Sequence, residues 1–153
     1  MMLMRRNNVS STMKCPVCRA TYRSNWGGEE GELSLNSQPQ TGRTVLCRRC
    51  HVDLSPLIRI HDQALWYHRC ALHLTAAREY GQARESNDQA LSLQQNNADF
   101  HALAGRLWAL QGEFRQAIAS WQQALRLDPE NSTAQNCLQL MTELTQASSW
   151  NPT

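Results

Sequence analysis

The chain has 153 residues, 41% of them hydrophobic and 18% charged, with a formal net charge of +2. That length suits one ordinary domain or two small units, and the high Gln, Asn and Ser content argues against a single large core. Residues 1–63 carry nine Arg/Lys against five Asp/Glu, and residues 64–153 carry six against eight, so the two parts stand at +4 and −2. An excess this small is no argument for nucleic acid.

In chain order, residues 1–13 read as a flexible polar tail. Arg5 and Arg6 are followed by polar residues and not by an apolar stretch of signal-peptide length. No later run approaches the roughly 18 apolar residues of a membrane-spanning helix. A cytoplasmic protein is the expectation, and in that compartment paired cysteines more often hold metal than form disulfides.

Residues 14–54 are bounded by Cys15-Pro16-Val17-Cys18 and Cys47-Arg48-Arg49-Cys50. Each C-x2-C turn can aim two sulfurs at one ion, and two such turns complete a tetrahedron. The 28 residues between them contain Gly27, Gly28, Gly31, Pro39 and Gly42, which punctuate short hairpins and not helices. Cys15, Cys18, Cys47 and Cys50 are the candidate metal ligands. With four thiolates bound, a divalent ion lowers the local charge from +4 to +2 and has no open position for catalysis.

This segment resembles zinc ribbons and, more loosely, rubredoxins, which share the two turns and an aromatic after the first, here Tyr22. Both families often place Gly after the second cysteine of each turn, where this chain has Arg19 and His51. Rubredoxin carries Pro in its second cysteine turn, whereas Pro16 lies in the first. These departures favour structural zinc, with iron as the alternative.

Residues 55–147 are expected to be helical, with Ser55 as N-cap and Pro56 in the first helical position. Apolar and small residues continue without a breaker from Leu57 to Cys70, which predicts one helix from about Pro56 to Ala77. An offset of 34 residues aligns 64–97 with 98–131 without a gap and with ten identities, among them Glu79/Glu113, Ala83/Ala117 and Ala90/Ala124. After Pro129, Ala134, Cys137, Leu138, Met141 and Leu144 form one apolar stripe, read as a capping helix over 132–147.

The second copy resembles the tetratricopeptide family, with Ala104, Gly105 and Trp108, then Ala117 and Trp121, then Pro129 at the pattern positions. The first copy departs from it, with Asn87 at the usual aromatic and Gln95 at the closing Pro. The fold expected is therefore mostly α: two tetratricopeptide repeats plus a capping helix, preceded by a small β-rich zinc ribbon. The resemblance implies a concave face for a partner protein, lined by Leu65, His68, Leu72, Thr75 and Ala76 in the first copy and by Asp99, Ala102, Arg106, Ala109 and Leu110 in the second. Its known clamp for chaperone tails needs polar donors where His68, Leu72 and Leu103 stand, so a helix or extended segment of a larger complex fits better.

Cys70 and Cys137 are expected in the helical core, and His61 and His68 on a solvated or partner-facing surface. No phosphate-binding Gly loop, H-E-x-x-H or Ser/His/Asp order occurs, so no enzyme is expected. The functional expectation is an adaptor or assembly factor. The alternatives are a rubredoxin-like iron electron carrier with the repeats as docking arm, and a nucleic-acid binder using Arg19, Arg23, Arg43, Arg48 and Arg49.

Overall fold

The computed structural model describes residues 12–23 and 44–149. The Arg43 side of the arginine patch, the hairpins expected over 24–43 and Trp150 lie outside the described residues. Two compact units are formed, Met1–Arg59 and Ile60–Thr153.

In the first unit, strands β1 (Thr12–Lys14) and β2 (Thr21–Arg23) pair antiparallel, with Met13 opposite Tyr22 and Lys14 opposite Thr21. Thr12 and Met13, which the sequence places in the tail, thus join the hairpin. Each cysteine turn sits at such a hairpin tip and the two are built alike. Cys15 N–H donates to Ala20 O (2.9 Å) and Arg19 N–H to Cys15 O (3.0 Å), while Cys47 N–H donates to Val52 O (2.8 Å) and His51 N–H to Cys47 O (2.9 Å). Arg19 and His51 adopt φ of 58° and 57°. The left-handed turn that glycine ordinarily makes is therefore formed here by two residues with side chains. Cys15, Cys47 and Leu54 are the buried centre, with Ala20, Tyr22, Val52 and Ile58 packed against them.

Helix α1 spans Ser55–Ala76 as a single 22-residue element. Its first helical bond runs from Ile58 N–H to Leu54 O, so Leu54 is the N-cap and Pro56 is the second helical residue, where no N–H is required. Ser55, expected as the cap, lies inside the helix: its N–H donates to Asp53 Oδ1 (2.9 Å) and its Oγ accepts from Val45 N–H (2.8 Å). The Ser55 hydrogen bonds hold the Asp53 carboxyl below its usual range.

The second unit continues with α2 (Tyr80–Leu93), α3 (Ala98–Leu110), α4 (Phe114–Leu127) and α5 (Ser132–Ser149). The 34-residue repeat is visible bond by bond. Glu79 N–H donates to Leu74 O at 2.9 Å and Glu113 N–H to Trp108 O at 2.9 Å, and Arg78 N–H to Thr75 O at 3.1 Å matches Gly112 N–H to Ala109 O at 3.1 Å. Both turns need a left-handed residue, Arg78 (φ 66°) in one and Gly112 (φ 84°) in the other. Arg78→Gly should therefore stabilise the helical unit by about 1 kcal/mol, and Gly112→Arg should cost a similar amount. Urea unfolding of the two variants checks both signs.

Small residues sit where helices cross. Ala64, Ala90 and Phe100 form one buried cluster, Ala71, Ala83, Leu103 and Leu107 a second, and Ala102, Ala117, Trp121, Ala124 and Ala134 a third. In the third, the Trp121 indole donates to Ala102 O (3.2 Å), and a Cβ at Gly105 would run into its ring. The same register positions of the first repeat hold Asn87 and Ala71. Asn87 is fully buried and donates from Nδ2 to Phe100 O at 3.0 Å. A smaller partner at one position accompanies a larger residue at the other. Asn97 and Asn131, which close the two repeats, both cap the following helix: Asn97 Oδ1 accepts from Asp99 N–H (3.0 Å) and Asn131 Oδ1 from Ala134 N–H (3.0 Å).

Candidate functional site

The four candidate ligands converge. Their sulfurs lie within 4.8 Å of one another, with Cys15 3.6 Å from Cys50 and Cys18 3.5 Å from Cys47. These distances exclude disulfides, which require about 2.0 Å. They come close to the edge of about 3.8 Å that a tetrahedron of sulfurs has around an ion with metal–sulfur bonds of about 2.3 Å. The donor set, four thiolates contributed pairwise by two turns, fits a zinc-ribbon-like metal centre.

The environment prepares some of these thiols and not others. A hydrogen bond from the Tyr22 hydroxyl (2.9 Å), aided by the Cys50 and Arg49 N–H groups against the cost of burial, holds Cys47 at about 5. Cys15 is also lowered, chiefly by the Cys18 N–H. At Cys50 the Val52 N–H favours the thiolate, but burial and the neighbouring sulfurs of Cys47, Cys15 and Cys18 outweigh it and push the thiol up to about 12. At neutral pH the metal-free cluster therefore holds Cys47 as a thiolate and Cys50 as a thiol, and a bound cation must displace at least the Cys50 proton. Affinity should rise with pH by at least about tenfold per unit between pH 6 and 8, and should collapse as Cys47 protonates near pH 5. A competition titration against a chromophoric chelator at several pH values checks this.

The residues expected on the concave face are divided by the fold. Leu72 and Leu110 are each 45% exposed, and Arg106 and Ala76 are exposed. Ala102 is not available to a partner, because it is enclosed with Trp121, Ala124 and Ala134 in the third cluster. Thr75 is buried and donates its hydroxyl to Ala71 O at 2.6 Å. Leu65 packs half-buried on the Ala64, Ala90 and Phe100 cluster, and Ala109 on the third cluster. Asp99 accepts from Asn131 Nδ2 at 2.9 Å, which ties the carboxylate to the turn before α5.

Of the two histidines expected at the surface, His61 is buried and His68 half-buried. The His68 ring lies 4.7 Å from that of Phe100, tilted by 30°, and burial lowers its imidazole's hold on a proton against the opposing effect of the Asn87 amide. His61 is buried with Nδ1 3.2 Å from Gln94 Oε1. Both ring positions are set by the helical stripe that packs α1, which outweighs the polarity of histidine. Cys70 is buried and Cys137 packs half-buried against the third cluster, and burial raises both thiols.

Residues 98–131 match the tetratricopeptide repeat family model. That segment takes in α3, α4 and the turn leading to α5. No curated protein matches the chain. The first helix pair lies outside the match but repeats its turn hydrogen bonds at the 34-residue offset. Tetratricopeptide repeats mediate protein–protein interaction, and among the described residues no helix is long and apolar enough to cross a membrane.

One contributor to the site was not singled out by sequence. Tyr22 stands out there only as an aromatic near the first turn, whereas in the fold its hydroxyl reaches a sulfur of the second turn. Its signal is the choice of a hydroxylated ring at a position where packing alone accepts Phe.

Proposed function

We propose that the protein is a non-enzymatic adaptor or assembly factor, in which a structural zinc ribbon accompanies a repeat platform that docks a segment of a partner protein. The observation that supports it is the pair Leu72 and Leu110, large apolar side chains left 45% exposed on the first helices of the two repeats. With Arg106 exposed one turn before Leu110 on α3, they offer apolar anchors and one cation, which suits an amphipathic helix or an extended segment with two or three apolar residues. Zinc is favoured over iron by the placement of Pro16 in the first cysteine turn, and four thiolates leave a bound zinc no vacant position at which to activate water. Reduced, metal-bound cysteines fit a cytoplasmic setting.

Leu72→Glu tests the docking face. Its side chain is exposed and belongs to none of the three helical clusters, so the variant should keep the wild-type melting curve and lose the partner recovered with the tagged wild-type chain. Recovery of the same partner at undiminished yield would remove this face from the account and leave the ribbon as the docking surface.

A further inference from the structure

We propose that Tyr22 is a positioning residue of the metal centre, its hydroxyl clamping the second cysteine turn and supplying the Cys47 sulfur with a hydrogen bond from a side chain outside the cysteine cluster, which no other ligand receives among the described residues. This rests on the reading of the four cysteines as a metal site. The phenol comes from β2, next to the first turn, yet both of its bonds are to the second: Arg48 N–H donates to Tyr22 Oη at 2.6 Å, and Tyr22 O–H donates to Cys47 Sγ at 2.9 Å. The leading sulfur of each turn also meets two backbone N–H groups, those of Val17 and Cys18 for Cys15 and of Arg49 and Cys50 for Cys47. Cys47 therefore has one donor more than its counterpart.

The asymmetry is written in the turns themselves. Pro16 and Arg48 occupy the same place, directly after the leading cysteine, and Pro16 has no N–H to offer. Only the second turn can hold a phenol oxygen there, and holding it fixes the direction in which its proton points. A hydrogen bond to a thiolate draws off part of its charge, so Cys47 becomes a weaker donor to the ion and less open to electrophiles, while its position is fixed from both sides. Such outer partners of metal ligands ordinarily matter to affinity by 10- to 100-fold.

The test uses the full chain, wild type and Tyr22→Phe, titrated with Co(II) and then displaced by Zn(II). Tyr22→Phe keeps the ring and removes only the hydroxyl. It is expected to weaken both metals by about tenfold and to move the sulfur-to-cobalt charge-transfer band to longer wavelength, because an unbonded thiolate gives up an electron more easily. A merely structural ring would leave that band unmoved. Arg48→Pro, which copies the Cys-Pro pair of the first turn, keeps the hydroxyl but frees it, and should shift the band in the same direction by less. Unchanged affinity and band position in Tyr22→Phe, or in Arg48→Pro should Tyr22→Phe not fold, would overturn the role of Tyr22. A wild-type chain that takes up no Co(II) would instead overturn the metal reading beneath it.

Discussion

Cys47→Ser is expected to abolish metal binding and to unfold the described part of the ribbon, residues 12–23 and 44–54, while the repeats stay folded. Among its described residues the ribbon has little else to hold it: the buried centre there is Cys15, Cys47 and Leu54, two of which are ligands. A structural zinc site supplies on the order of 10–16 kcal/mol to a module of this kind, far more than burial of one leucine, worth about 2–3 kcal/mol. Serine provides a hard oxygen in place of a thiolate and deprives Tyr22 of its sulfur acceptor. The helical unit has three clusters of its own, from Ala64 to Ala134, none of which includes a ligand. Amide spectra should therefore show the ribbon resonances collapse and those of residues 60–149 persist. Melting of the helices along with the ribbon would mean that the two units fold as one.

A second large effect is expected where Gly105 meets Trp121. Trp121→Ala removes a buried indole and its bond to Ala102 O, at a cost of about 3–5 kcal/mol. Gly105→Ala should cost about 1–3 kcal/mol, because its Cβ has nowhere to go but into the indole. The same substitution in the Trp121→Ala background should change sign, since the clash is gone and alanine is the better helix former by about 1 kcal/mol. The first repeat already holds a version of that solution in Ala71 and Asn87. Denaturant unfolding of the two single variants and the double variant measures the coupling. Additive costs would show that the indole and the glycine do not compete for one space.

Much of this was legible in the sequence for reasons that can be named. The C-x2-C spacing dictates two-sulfur turns whatever lies between them, and the 34-residue register carries the turn at Arg78 as surely as the one at Gly112. The start of the first helix followed from Pro56, although Asp53 and not Ser55 supplies the capping oxygen there, since Ser55 Oγ is engaged by Val45 N–H, and the later starts followed from the 34-residue offset, with no sign in it of the caps at Asn97 and Asn131. Less legible was the docking face. Helical spacing places Ala102, Thr75 and His68 on the same arc as Leu72, but spacing says nothing about which neighbour closes over which part of that arc. The Asp99 to Asn131 bond and the Ala134 contact belong to the packing of α5, and the stacking of His68 on Phe100 to that of α3. The reach of Tyr22 to Cys47 spans 25 residues of sequence, a distance at which no local pattern reports.

The central claim is that four cysteines from two turns form one metal centre, and elemental analysis of the freshly purified full chain tests it most directly. One equivalent of zinc per chain in a colourless protein, lost in Cys47→Ser, is the predicted result. A wild-type protein with no bound metal and all four of these thiols open to alkylation under native conditions would contradict it.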